Sequence, residues 1–170
     1  MTPLEDTIGL RAAFGRFATG VTIVTARAAV GELIGITVNS FSSVSLDPPL
    51  VLFSIDKRCG SLAGLRAASG IAVNVLGRDQ EDLSFRFARA LTDKWWGVAH
   101  QDGLRGAPLL EGAVACFECS PWAVYEGGDH LIFVCRVERY GCDIEKPPLL
   151  FYGGRYADLI EAATPIRTTG

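Results

Sequence analysis

From Asp6 the chain reads DTIGLRAAFGRFATG, and Leu10, Phe14, Phe17 and Ala18 recur on one face at helical spacing. Asp6 or Thr7 is placed to cap that helix and Gly20 to end it. VTIVTA, residues 21–26, is β-branched almost throughout and predicts a buried strand. RAAVGEL turns the chain, and IGITVN, residues 34–39, returns as a second strand, so a hairpin is expected. A run of small polar residues then precedes LVLFSI, residues 50–55, a third strand. SLAGLRAASG predicts a short helix with Ser61 as its cap and Gly70 as its stop, and IAVNVL, residues 71–76, a fourth strand. RDQEDLSFRFARA predicts a helix opened by Asp79, its acids early and its arginines late, as the helix dipole favours.

Residues 91–110, LTDKWWGVAHQDGLRGAPLL, carry little periodicity and read as irregular. Residues 112–141 supply two or three further strands with a turn at Gly127 and Gly128, and PLLFYGGRYADL a last strand and a tail. Strands follow one another through turns rather than alternating with helices. That excludes a doubly wound parallel sheet and predicts a mainly β fold, an antiparallel barrel with a few short helices. The 170 residues contain no repeat, linker or low-complexity stretch, so residues 1–170 are read as one domain.

Composition narrows the function. The chain is 49% apolar and 21% charged with a formal net charge of −3, and it shows no basic stripe, which argues against a nucleic-acid partner. MTPLEDTIGL lacks the basic-then-apolar order of a signal peptide, and PLVLFSI falls far short of the ~20 apolar residues that span a bilayer. A soluble, cytoplasmic protein with no membrane partner is expected. Cys59, Cys116, Cys119, Cys135 and Cys142 are odd in number and scattered, unlike a disulfide framework. The CFEC pair lies in a predicted strand, where residues three apart face opposite ways, so reduced, partly buried thiols and no metal are expected.

No phosphate-binding G-x-x-x-x-G-K-[ST], no G-x-G-x-x-G, no G-x-S-x-G and no H-E-x-x-H is present. Ser42, His130 and Asp129 make a triad on paper, but nothing marks the serine as activated. The polar run holds Thr37, Asn39, Ser40, Ser42 and Ser43 with Phe41 as an apolar wedge, and Pro48 and Pro49 stiffen its exit. Such residues hydrogen-bond their own backbone in turns. The same residues on a barrel rim bring N–H groups and hydroxyls to a flat, phosphorylated ligand. Asp56, Lys57 and Arg58 lead to Ser61 at a predicted helix start, an anion site in outline, and Arg86 and Arg89 flank Phe87 in a second cationic cluster.

FGRFATGVTIVTA, GITVNSFSSVSLDPPLVLFSIDKR, FRFAR, GGDHLIFVCRV and PLLFYGGRY stand in an order and spacing that resembles the flavin reductase-like family, from about Leu10 to about Tyr156. Within it, the chain is most similar to the short-chain NAD(P)H:flavin oxidoreductases of two-component flavin-dependent monooxygenases. The resemblance implies an FMN-binding split β-barrel, antiparallel and Greek-key-like, usually homodimeric. It implies FMN or FAD as flavin, NADH or NADPH as hydride donor, and a monooxygenase that receives reduced flavin by diffusion. By motif, Thr37, Asn39, Ser40, Phe41, Ser42 and Ser43 would line the ring and ribityl chain, and Asp56, Lys57 and Ser61 the ribityl–phosphate end. Phe87, Ala88 and Arg89 would close over the phosphate, His130 would approach the nicotinamide as the catalytic residue, and Arg155 with Tyr156 would border the ring stack. The paired Trp95 and Trp96 and the YGGRY ending depart from the family pattern. Another reading of the barrel is a flavoprotein that keeps flavin as a tight prosthetic group and acts on another small molecule. For His130 the alternative is a turn histidine held by Asp129, and for Arg155 an ion pair with Asp158. The two tryptophans are read as packing.

Overall fold

The computed structural model describes residues 7–91 and 93–159. Its strands are β1 (Thr19–Gly20), β2 (Thr22–Arg27), β3 (Leu33–Val38), β4 (Ser42–Leu46), β5 (Pro49–Asp56), β6 (Ile71–Val75), β7 (His100–Asp102), β8 (Pro108–Leu110), β9 (Ala115–Gly127), β10 (His130–Cys142), β11 (Leu150–Tyr152) and β12 (Arg155–Ala157). Three short helices join them: α1 (Thr7–Phe14), α2 (Leu62–Ala67) and α3 (Glu81–Phe87). Seven strands form one antiparallel sheet in the order β3-β2-β6-β9-β10-β5-β4. The step from β5 to β6 passes over the β9–β10 pair, as in a Greek key.

Chain length forces this sheet to roll up. Strands β3 and β4 are its two edges, yet only Asn39, Ser40 and Phe41 connect them. A flat seven-stranded sheet would hold its edges about 29 Å apart. The connection from Val38 to Ser42 reaches about 14 Å at most. The edges therefore meet, and Ser40 seals the seam: its Oγ donates to the Ser54 carbonyl at 3.1 Å and accepts from the Ser54 N–H at 2.9 Å. Beyond this bridge β4 pairs only with β5, so the barrel is split at one edge.

The barrel interior is filled by Val24, Ala26, Ile34, Val51, Phe53, Ile55, Leu65, Ile71, Val73, Leu131 and Phe133, with Cys119 and Cys135 among them. Phe53 and Phe133 stack with centroids 5.2 Å apart. A second cluster, on the outer side of β2, comprises Val21, Ile23, Leu76, Phe87, Leu110 and Leu149. Covered on both faces, VTIVTA has no polar side to show, which is why it reads as a continuous β-branched run. Asn74, fully buried, seats the β7–β8 hairpin here: its Nδ2 donates to Ile23 O and Thr25 Oγ1, both at 3.1 Å, and its Oδ1 accepts from Leu110 N at 2.9 Å. A small sheet, β1-β11-β12, joins the barrel where Val21 N donates to Leu149 O, Leu149 N to Leu76 O, and Leu76 N to Val21 O.

Several local expectations are corrected. The first helix stops at Phe14, not Gly20, which lies in β1, and it buries none of its side chains; Phe14 at its end and Phe17 beyond it are 68% and 79% exposed. Asp6, one of its two suggested caps, lies outside the described residues. The serine run is not wholly a loop, since Ser42 to Leu46 pair with β5 as an exposed strand. Ser61 makes no capping hydrogen bond and already has helical backbone angles, and α2 is only six residues long. The third helix opens with a 3₁₀ turn at Arg78–Gln80, where Gln80 Oε1 rather than Asp79 accepts from Gly77 N, at 2.9 Å. In the β9–β10 turn only Gly128 has positive φ, at 73°, while Gly127 pairs with His130 inside the ladder.

Cys116 and Cys119 point to different sides of β9, as the strand period dictates. Burial raises the thiol pKa values of Cys116, to about 11, and Cys135, to about 12, and pushes Cys119 further up. Cys142 is exposed. Thiol reagents at mildly alkaline pH should therefore label Cys142 at once and leave Cys119 and Cys135 untouched until denaturant is added; mass mapping of the labelled sites before and after unfolding checks this.

Candidate active site

The third helix crosses the outer face of β3 and β2, and its buried side carries Ser84 and Phe87. Ser84 is the meeting point of three elements. Its carbonyl accepts from Thr37 Oγ1 at 2.6 Å and from Ala88 N at 3.1 Å, and its hydroxyl accepts from the Tyr156 hydroxyl at 2.9 Å. These contacts enclose a cleft of about 200 Å³ lined by Val21, Thr37, Val38, Asn39, Ser84, Ala88, Phe151 and Tyr156. A larger cleft of about 660 Å³ adjoins it, sharing Asn39 and Phe151, and runs between the α1 segment and the β11–β12 hairpin.

The larger cleft is cationic and aromatic. Arg11, Arg16 and Arg155 border it with Phe14, Phe17 and Tyr152. The Arg16 guanidinium donates to the Tyr152 hydroxyl at 3.1 Å and lies 5.9 Å from that ring's centre. Gly153 N donates to Gly15 O at 2.8 Å, tying the hairpin tip to the end of α1. Asp158, offered as a partner for Arg155, instead pairs with Arg78 at 2.7 Å, so Arg155 stays exposed at the cleft. Thr19 Oγ1 is buried in the cleft wall with no partner among the described residues. A buried hydroxyl in that state is costly unless something hydrogen-bonds it, so the wall suits a polar ligand.

Of the residues read from the sequence, Thr37, Asn39, Ala88 and Tyr156 come together in the smaller cleft, and Asn39 and Arg155 in the larger. Others are placed differently. The Phe41 ring turns into the barrel and stacks on Phe117 at 5.6 Å, and Ser40 is occupied by the seam. Ser42 and Ser43 lie exposed on β4. Phe87 is a core residue, 1% exposed, and cannot close over a ligand with its ring. Arg89 lies over the Phe85 ring at 5.2 Å. Ser61 makes no capping bond and lines neither cleft.

Asp56, Lys57 and His130 gather where β5 and β10 end together, His130 opposite Asp56 in the ladder. Arg58 grips Asp56 through Nε at 3.0 Å and Nη2 at 2.6 Å and holds its carboxyl well below the usual carboxylate range. Lys57 Nζ donates to Gly128 O at 2.6 Å and pairs with Glu126 at 2.5 Å. His130 Nδ1 meets Asp129 Oδ1 at 2.7 Å, which leaves Nε2 as the ring nitrogen for a ligand. Neither cleft is lined by His130.

Trp95 packs edge-on against Phe87 at 4.8 Å and against His100 at 5.2 Å, whereas Trp96 is exposed. Lys94 Nζ donates to Gly35 O at 3.0 Å, pinning this segment to the free edge of β3. Arg11, Arg16, Ser84 and Phe151 were missed as site residues. FGRF and FYGGRY stood in the sequence as landmarks, but which of their side chains meet depends on the contact between α1 and the hairpin.

Comparison with known proteins identifies the family. Residues 14–159 match the family model described as "Flavin reductase like domain". A probable flavin reductase of Rhizobium meliloti is 45% identical over 135 residues, covering 79% of this chain but only 43% of that longer protein. An NADH-dependent flavin reductase of a Rhodococcus species is 41% identical, covering 94% of this chain and 88% of that one. Among solved structures, the NADH:FAD oxidoreductase of Streptomyces globisporus in complex with NAD and FAD fragments superposes with a TM-score of 0.91. It is 40% identical over 96% of this chain and 99% of its own.

The wall behind the smaller cleft has no spare room. A Cβ added at Gly35 would come within 2.5 Å of Phe87 Cδ1 and 2.9 Å of Trp95 Cζ2. Gly35→Ala should destabilise the fold by about 1–3 kcal/mol through overpacking, more than the ~0.4–1 kcal/mol returned by a less flexible unfolded chain. Denaturant unfolding checks this as a lower midpoint at unchanged slope.

Proposed function

This chain belongs to the flavin reductase-like family, and from that membership we propose that it is an NADH-dependent flavin reductase. In this reading one domain accepts hydride from a reduced nicotinamide dinucleotide, delivers it to FMN or FAD, and releases reduced flavin by diffusion to a partner monooxygenase. The observation that carries the reading is the pair of adjoining clefts, one small and walled by β3, α3 and β12, the other larger and edged by three arginines. That division suits a flat ring system in the first and an anionic dinucleotide in the second.

When bound, the two coenzymes supply the chemistry, a hydride passing from nicotinamide C4 to flavin N5. The chain's residues bind and orient. The crossing at Asn39 and Ser40 presents main-chain groups without bulky side chains, so the backbone approaches a ring closely and offers donors to charge that develops there. The Asn39 amide, exposed between the clefts, is open to either ligand. Arg11, Arg16 and Arg155 bind phosphate oxygens. Phe151 and Tyr156, edge-to-face with centroids 5.8 Å apart, form an apolar wall that keeps water from the ring stack. No side chain acts as a general base. His130 lines neither cleft; the contact proposed for it is a hydrogen bond between Nε2 and the nicotinamide carboxamide, with its ring held by Asp129.

We also read the protein as a homodimer. The outer face of β5 and β10 carries Leu50, Leu52, Ile132 and Val134, and the adjoining edge strand β4 exposes Val44 and Leu46, the latter by 95%. Exposed apolar side chains on an unpaired strand edge are uncommon on a monomer. No helix among the described residues is long and apolar enough to cross a membrane. A cytoplasmic setting follows from the reading itself, since NADH is supplied there and thiols stay reduced.

Mixed anaerobically with NADH and a large excess of FMN or FAD, the protein should bleach many flavins per polypeptide. Bleaching of one equivalent only would instead identify a tightly held prosthetic group. In the same assay His130→Ala should lower kcat/KM for NADH by about tenfold, near 1.4 kcal/mol of transition-state stabilisation. Unchanged kinetics would remove His130 from the site. Light scattering after chromatography should give a dimer mass for the parent and a monomer mass for a Val44→Arg, Leu46→Arg double variant; a parent monomer rules the dimer out.

A further inference from the structure

We propose that Ser84 is a positioning residue that fixes Tyr156 as a wall of the smaller cleft, the one assigned above to a flat ring, acting through its hydroxyl alone. This rests on the reading of the clefts given above. Ser84 is 1% exposed in the middle of α3, among Leu83, Phe87 and Tyr156 of the outer core. Serine is a poorer helix former than alanine, because its hydroxyl competes for the backbone. A buried serine at such a place needs a partner for its hydroxyl, and here the partner is the Tyr156 hydroxyl at 2.9 Å.

Ser84 uses two different atoms toward the two walls of the cleft. Its carbonyl, a main-chain group, holds Thr37 of β3 at 2.6 Å and still accepts the helical bond from Ala88. Its hydroxyl, a side-chain group, holds Tyr156 of β12. Substitution at position 84 therefore spares the Thr37 wall and releases the Tyr156 wall. The helix cannot drift to compensate. Phe87, one turn along, is wedged against Gly35 and Trp95, and Arg86 Nη1 donates to Trp96 O at 2.9 Å. Without the bond, the Tyr156 phenol is left half-buried with an unpaired donor and turns out of its packed position.

A serine that merely filled the core would give a different pattern when changed. Loss of the hydroxyl should then alter stability and both ligands alike, or nothing at all. The positioning role separates the ligands, because Tyr156 lines the smaller cleft and not the larger.

The test combines Ser84→Ala with Tyr156→Phe, which remove opposite ends of the same hydrogen bond. Calorimetric titration with oxidised FMN and with NAD+ is run on the parent, each single variant and the double, beside steady-state flavin reduction. Each single variant should weaken FMN binding by about five- to tenfold, with NAD+ affinity within about twofold of the parent. The double variant should be no worse than the weaker single, because the bond can be lost only once. Denaturant midpoints show that all four proteins are folded, and alanine's better helix propensity favours that for Ser84→Ala. Multiplied effects in the double variant would overturn the proposal. So would an inert Ser84→Ala beside a damaged Tyr156→Phe, which would mean that the phenol acts on the ligand directly. A parent that binds neither ligand would instead sink the reading of the clefts, and this proposal with it; a parent that binds both, with an unaffected Ser84→Ala, would sink this proposal alone.

Discussion

Three residues between opposite edges of a seven-stranded sheet govern this molecule. Asn39, Ser40 and Phe41 are too short a tether for anything but a closed or nearly closed barrel. Each meets the demand with a different group. Phe41 turns inward and anchors in the barrel core on Phe117, Ser40 replaces ladder hydrogen bonds with its hydroxyl at Ser54, and Asn39 is left outward at the junction of two clefts. The small side chains that let the edges meet also leave main chain uncovered at the surface. Closing the barrel and offering a flat ligand a close approach are thus consequences of one local geometry.

The candidate site lies over the outer face of β2 and β3 rather than in the barrel mouth. It is built from whatever covers that face: α3, the Trp95 segment and the small β1-β11-β12 sheet. The apolar cluster of Val21, Ile23, Leu76, Phe87, Leu110 and Leu149 holds these pieces, so the cleft walls are core residues on one side and ligand-facing residues on the other. Polar contacts then set the spacing, with Thr37 and Tyr156 both ending on Ser84. A cleft organised this way has walls held by core packing and by two hydrogen bonds to one serine. It stays open toward α1, whose apolar residues remain exposed and whose arginines edge the space for charged groups.

The charge distribution follows the same division. Two cationic residues near the β5 end, Lys57 and Arg58, are consumed by Glu126, Gly128 and Asp56. Arg16 and Arg155 remain available at the larger cleft. A chain with a net charge of −3 thus sets three arginines, Arg11, Arg16 and Arg155, around one cleft. Its buried cysteines, with raised thiol pKa values, are chemically quiet members of the barrel wall.

Much of this was legible in the residues alone. VTIVTA, IGITVN, LVLFSI and IAVNVL are strands close to the predicted bounds, because β-branched runs between turn residues have few other stable conformations. The motif order also named the family and the residues Thr37, Asn39, Ala88 and Tyr156. Local pattern failed where a residue's role depends on what lies opposite it. FGRF looked like the buried face of a helix and is exposed; Phe87 looked like a lid and is core; Ser61 looked like a cap and makes no such bond. Ser84 gave no signal, since nothing in SFRF tells which strand its hydroxyl will meet. Periodicity and turn chemistry are properties of neighbours in sequence, so the chain by itself determined its long apolar strands, its family and the short crossing that rolls the sheet, but not β4 or the β7–β8 hairpin, which lie in segments that read as loop and as irregular. Which polar atoms pair across 47 or 72 residues is decided only when the packed elements bring them within hydrogen-bonding distance, and that the tertiary structure alone settled.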